Sequence, residues 1–180
     1  DGAWSNNGKV TAKAGLGVYF GENDPRNVSK RIVGKQSNNT AELSAVIEVF
    51  SILKDEIQSN QEITIYSDST YTIRWCGEYG RKCEMNGFKS QKPIPNLELG
   101  KELYLLCKEN PNVKLEHIRA HTGLTDELSL GNEGADMMAN LAIGLKSCPH
   151  VDKKQKQKYY LRIPYSCLLY TSPSPRDKRQ

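Results

Sequence analysis

The feature that most restricts how this chain can fold is a change of hydrophobic period near residue 40. Upstream, Gly15-Leu16-Gly17-Val18-Tyr19-Phe20-Gly21 is a short β-rich run between glycines. Val28 to Val33 resumes strand character after the turn Asn23-Asp24-Pro25-Arg26-Asn27. Downstream, Leu43, Val46, Ile47, Phe50, Leu53 and Ile57 recur at helical spacing on one face. Asn38, Asn39 and Thr40 stand just before them as cap candidates. A chain that passes from strand to helix period in this way must lay an amphipathic helix on a sheet.

The remaining elements follow in order. Ile63 to Ser67 reads as a strand, with Asp68 at its C-terminal end. Ser69 onward is helical to about Tyr79, and Arg81 to Pro95 is basic, polar and irregular. Leu97, Leu99, Leu103 and Leu106 predict a helix that stops near Asn110-Pro111. Val113 to His117 alternates as a strand, residues 122–131 read as a loop, and Asn132 or Glu133 opens a last helix with Met138, Leu141 and Ala142 inward. With Asp1 at the tip of a first strand, the order is β-β-β-α-β-α-α-β-α. That predicts an antiparallel meander followed by βαβ units in one mixed sheet. The length suits a single core, and residues 1–146 are taken as the domain.

The formal charge of +4 belongs to the C-terminal end. Residues 151–180 carry eight Lys/Arg against two Asp/Glu, leaving 17 against 19 in residues 1–150, a net of −2. Nucleic-acid affinity in the compact part would therefore need local patches, or metal ions over clustered acids. Residues 147–180 read as a basic, disordered tail, and the end from Tyr170 as read-through of adapter sequence. Five cysteines without CxxC spacing argue for free thiols, a reducing compartment and an intracellular location. No apolar run is long enough for a transmembrane helix, and neither a signal peptide, a membrane partner nor a small-molecule cofactor is expected.

Four acids stand at element ends: Asp1, Glu42 and Asp136 at first turns or strand tips, and Asp68 at the end of a strand. Singly, each suits helix-dipole complementation or solvated surface. Together they suit a hard divalent cation with oxygen ligands. Two such ions about 4 Å apart clamp both oxygens of a phosphodiester displacement.

At this point the chain resembles ribonuclease H of type 1. The resemblance runs from Asp1 to about Gly144 and rests on five ordered motifs. They are Asp1-Gly2-Ala3 with Asn7, Ser37-Asn38-Asn39-Thr40-Ala41-Glu42-Leu43, Ile65-Tyr66-Ser67-Asp68-Ser69, Ala120-His121-Thr122-Gly123, and Gly131-Asn132-Glu133-Gly134-Ala135-Asp136-Met137-Met138-Ala139. It implies a three-layer α/β fold with a five-stranded mixed sheet of order 3-2-1-4-5 flanked by helices, its first strand truncated. It implies a monomeric endonuclease that cuts the RNA strand of RNA–DNA hybrids, leaving 5′-phosphate and 3′-hydroxyl ends. Asp1, Glu42, Asp68 and Asp136 would hold two Mg²⁺ ions, with Mn²⁺ as a substitute, and His121 would assist proton transfer or product departure.

The resemblance also assigns substrate contacts. Asn7, Asn38 and Asn39 match positions that meet sugars or minor-groove edges, where amides both donate and accept. Lys35, Ser37 and Asn96 fall at the DNA-strand phosphate pocket, with lysine where arginine is common. Residues of about 75–95 resemble the basic handle. There Arg74, Arg81, Lys82, Lys89 and Lys92 outnumber Glu78 and Glu84 by three. Trp75, Tyr79, Phe88 and Lys89 would line the hybrid; the ordinary explanation is that the aromatics simply fold the handle. The ten residues from Thr122 to Gly131 are read as a longer loop than the family's.

An alternative is a non-catalytic hybrid-binding module of a larger replication protein, which should have lost an acid. The first residue raises a further expectation. If Asp1 ends the central strand, most of that strand lies upstream, and the fragment should fold poorly until about six residues are restored. Its free ammonium would also oppose metal binding.

Overall fold

The computed structural model describes residues 1–5, 13–119 and 126–145, without the side chains of Trp4 and Ser5. Three strands, β1 (Gly2–Ser5), β2 (Lys13–Val18) and β3 (Val28–Arg31), form an antiparallel sheet in sequence order. A second, parallel pair joins β4 (Ile63–Ser67) to β5 (Val113–His117), with Ile63 opposite Val113 and Ser67 opposite His117. Meander and parallel pair match the sequence expectation. No ladder joins β1 to β4 among the described residues, so the order 3-2-1-4-5 is resolved as two sheets.

The first strand corrects the reading of Asp1. That residue leads the strand rather than ending it: Gly2 pairs with Leu16 and Ser5 with Lys13. Asp1 itself is paired through its backbone, exchanging hydrogen bonds with Gly17 at 2.8 and 2.9 Å. The strand therefore runs downstream through Ala3, whose side chain is buried.

Helix α1 (Asn38–Ile52) carries the expected apolar face, with α2 (Lys54–Gln58) as a short extension after Leu53. The cap is Ser37, whose hydroxyl accepts from the Thr40 amide at 3.1 Å; Asn38 already opens the helix. Ala14, Leu16 and Val18 of β2 share a buried cluster with Ala41, Leu43, Val46 and Val49 of α1. The opposite face of β2 carries Gly15 and Gly17, where a methyl group would collide with the backbone of the last helix, α6 (Glu127–Ala142). Period-two alternation in β2 thus puts a helix on each side, and the molecule is built in three layers.

Helix α6 begins well before the expected Asn132. Asp126 caps it, accepting from the Ser129 amide at 3.1 Å and from its hydroxyl at 2.7 Å. Residues 127–131 are therefore helical, and Asp136 lies in the third turn rather than the first. Ala135, Ala139 and Ile143 are the buried positions, whereas Leu141 is 47% exposed. The inward face is rotated because Gly134 and the alanines permit close approach: a methyl on Gly134 would lie 2.7 Å from the Tyr19 ring.

The stretch from Arg81 is also more ordered than its composition suggests. Helix α3 (Thr70–Cys76) is capped by Ser69 and stops at Gly77, and α4 (Glu78–Met85) follows at once. Only the segment after Met85 is irregular, with Gly87 and Phe88 both left-handed at φ 60° and 56°. Helix α5 (Leu97–Glu109) ends where Asn110-Pro111 predicted. Among the described residues, no helix is long and apolar enough to cross a membrane.

Candidate metal centre and nucleic-acid interface

Three of the four predicted acids converge. Asp1 ahead of β1, Glu42 in α1 and Asp68 after β4 each place a carboxylate oxygen so that all three lie within 4.8 Å of one another. The local sequence explains how. Gly2 follows Asp1 because β1 lies directly on α1; a methyl there would sit 2.9 Å from the Ala41 methyl and 3.0 Å from the Glu42 nitrogen. Asp1 is tied down by the Gly2 amide, which donates to its Oδ1 at 2.7 Å. Asp68 follows Ser67, the last residue of β4, at the carboxyl end of a parallel strand.

Glu42 is 4% exposed, yet it is ionisable. Burial pushes its carboxyl up to about 7; the Asp1 amino group opposes this, the nearby Asp68 charge adds to it, and the Asn38 amide, 3.3 Å away, counters it weakly. Among the described residues no Lys or Arg forms a salt bridge with any of the three acids. Three oxygen-donor groups brought together with one of them buried, and without a side-chain cation, fit a hard divalent ion. The alternative, a set of solvated surface acids, does not account for burying Glu42.

Asp136 stands apart from the triad. It is half-buried one helical turn before Asn140, whose amide donates to its Oδ1 at 2.9 Å and to its backbone carbonyl at 2.8 Å. One turn earlier, the buried Asn132 does what the sequence reading did not assign. Its amide donates to Asp68 Oδ2 at 3.3 Å, so α6 reaches the acid at the end of β4. The signal was available: Asn132 and Asp136 are four apart and share one face of a helix.

The residues expected at the phosphate pocket also come together. Lys35 Nζ donates to Asn96 Oδ1 at 3.2 Å, and Thr40 Oγ1 reaches the same oxygen at 3.5 Å. Ser37 lies 2.6 Å from Thr40 through their hydroxyls. Asn96 holds a left-handed backbone at φ 54°, and its amide nitrogen donates to the Tyr71 hydroxyl at 3.4 Å. Tyr71 in turn donates to the Pro95 carbonyl at 3.1 Å. Asn38 and Asn39 are exposed on the first turn of α1.

The handle aromatics behave differently from the expectation. Trp75 is fully buried, its ring lying against Gly100 of α5 where any larger side chain would overlap it. It cannot line a bound hybrid from that position. Helical spacing places Thr72 and Trp75 on the inward face of α3; Gly100 clears the space for the Trp75 ring, and Gly80 lets the Tyr104 ring and the Trp75 carbonyl come close. Tyr79 packs edge-on against Trp75 at 4.8 Å, and Phe88 meets Tyr104 at 6.4 Å with Lys101 over its ring. Both are half-buried, and Lys89 is exposed. His121 and Asn7 lie outside the described residues.

With the geometry in place, comparison with known proteins gives a consistent result. A family model described as RNase H matches residues 1–143. Ribonuclease H of Schizosaccharomyces pombe is 39% identical over 142 residues, covering 77% of this chain and 49% of that protein. The chain spans about half the length of the curated relatives it matches. The solution structure of the PFV RNase H domain aligns with a TM-score of 0.59 at 20% identity, over 79% of this chain and 90% of that one. A foamy viral protease-reverse transcriptase solved in complex with an RNA/DNA hybrid aligns with a TM-score of 0.63 at 20% identity, over 79% of this chain and 19% of that one. At that identity the two structures speak to the fold, which is RNase H-like.

Proposed function

The chain belongs to the RNase H family, and on that premise we propose that it is a metal-dependent endonuclease acting on the RNA strand of RNA–DNA hybrids, with 5′-phosphate and 3′-hydroxyl products. The observation that carries this reading is the convergence of Asp1, Glu42 and Asp68 within 4.8 Å, with Glu42 buried and, among the described residues, no side-chain cation paired to them. Those three acids, joined by Asp136, are the residues that would hold two Mg²⁺ ions, or Mn²⁺ in their place. When bound, such ions polarise the phosphodiester and acidify the attacking water.

The chain's own groups do the rest. Asn132 keeps Asp68 aimed through its amide, and the Gly2 amide does the same for Asp1. Asn38 and Asn39 offer amides on the exposed first turn of α1, beside Glu42, where they would read sugar hydroxyls and minor-groove edges. Lys35, Ser37, Thr40 and Asn96 form a polar cluster at the start of α1 and α5 that suits a phosphate of the DNA strand. Lys89, Tyr79 and Phe88 are the handle residues that would meet the hybrid, while Trp75, fully buried, shapes the handle from within. Asn7 and His121 complete the reading as sugar contact and proton-transfer group.

The test uses end-labelled RNA–DNA hybrid, duplex RNA and duplex DNA with Mg²⁺. Cleavage confined to the RNA of the hybrid, and stopped by chelation, is the expected result. Equal cleavage of all three duplexes, or of none, overturns the proposal.

A further inference from the structure

Two cysteines unused by the site stand almost in bonding contact. Cys107 Sγ of α5 lies 2.9 Å from Cys76 Sγ, the last residue of α3. Both are free and half-buried, so a small oxidant can reach them. The third described cysteine, Cys83, is buried and hydrogen-bonded to Tyr79 instead. The pair owes its meeting to the neighbouring residue: the Trp75 ring lies on Gly100, which draws α3 and α5 together. A disulfide needs sulfurs about 2.05 Å apart, so closure requires them to approach by about 0.9 Å.

We propose that Cys76 and Cys107 form a reversible disulfide with a low-molecular-weight disulfide oxidant, stapling α3 to α5. One cysteine thiolate attacks a sulfur of the oxidant and releases one reduced thiol. The second cysteine then attacks the protein sulfur of the mixed disulfide and releases the other. Two electrons and two protons leave the cysteines and appear on the two small thiols, so the exchange balances. Such a staple restricts the unfolded chain across a loop of about 30 residues. It leaves Asp1, Glu42, Asp68 and Asn132 untouched, so cleavage should survive oxidation. The hydrogen bond from Cys107, and burial, raise the Cys76 thiol above its usual range. Exchange should accordingly be slow near neutrality and accelerate with pH.

The experiment treats the full chain with excess oxidised glutathione, alkylates the remaining thiols and maps the peptides. The expected result is a linked peptide pair containing Cys76 and Cys107, a mass lower by about 2 Da, and a Tm raised by about 5 °C or more that reverts with dithiothreitol. The Tm rise should be absent in Cys107→Ser. Recovery of Cys76 and Cys107 as separately alkylated peptides overturns the proposal, and so does a linked pair with no change in Tm. The mapping needs only the unaltered chain, so it stands even where the variant folds poorly.

Discussion

The acid cluster and the handle carry opposite arrangements of charge. At the cluster, three carboxylates converge, one is buried, and among the described residues no Lys or Arg forms a salt bridge with them. In the handle and its contact with α5, both acids are answered by a cation. Lys82 pairs with Glu78 at 2.7 Å across one helical turn, and Lys108 and Tyr104 share Glu84 at 2.6 and 2.7 Å. The handle's acids are thus answered locally, whereas at the cluster the Asp1 amino group opposes only part of the cost of holding Glu42 charged. The lesson concerns which feature to read as functional. The handle has the surplus of basic residues, but like charges that converge with one of them buried mark the site better than the amount of charge.

Substitutions break this comparison in graded ways. The largest effect is expected from Asp68→Asn, which removes a cluster charge while keeping shape. Cleavage of a labelled hybrid should fall by about 10³-fold or more, since metal ions contribute several kcal/mol of charge stabilisation, while gel-shift binding of the hybrid persists. Trp75→Ala should cost about 3–5 kcal/mol of stability in denaturant titrations, because it empties a fully buried site. A surface aromatic would cost far less.

Glu42 tests the cost of that burial itself. Its folded-state carboxyl is raised to about 7, above the unfolded value, so its contribution favours folding at low pH and is lost as pH rises through about 7. Metal-free Glu42→Gln should therefore gain stability over the parent at pH 8, on the order of 3 kcal/mol, and gain nothing at pH 4. Added Mg²⁺ should shrink the difference by stabilising only the parent. Asn132→Ala should weaken metal affinity or cleavage by about 10- to 100-fold, as expected of a residue that orients a ligand. The smallest effect belongs to the handle's exposed pair: Lys82→Ala should leave Tm within about 1 °C of the parent.

Much of this was legible in the sequence where pattern and local chemistry agreed. The run from Leu43 to Ile57 and the strand Ile63 to Ser67 set Glu42 and Asp68 on their elements. Sequence pattern failed where tertiary contact overrode local preference. Gly134 argues against a helix, yet α6 includes it because it lies against Tyr19 and the neighbouring turns lie against β2. The cap at Asp126 was a missed local signal, since Asp126 and Ser129 have the spacing of an N-cap and its amide partner. Trp75 read as a surface aromatic because the glycine that receives its ring, Gly100, is remote from its own pattern. Asp1 read as a strand end because its pairing with Gly17 depends on a partner strand.

The most direct test of the central claim is calorimetric titration of Mg²⁺ into the chain and into Asp68→Asn, repeated in buffers of different ionisation enthalpy near pH 6.5. The parent should bind Mg²⁺ with release of a proton from Glu42, and Asp68→Asn should bind markedly more weakly. Identical isotherms for the two proteins would contradict a metal centre built from Asp1, Glu42 and Asp68.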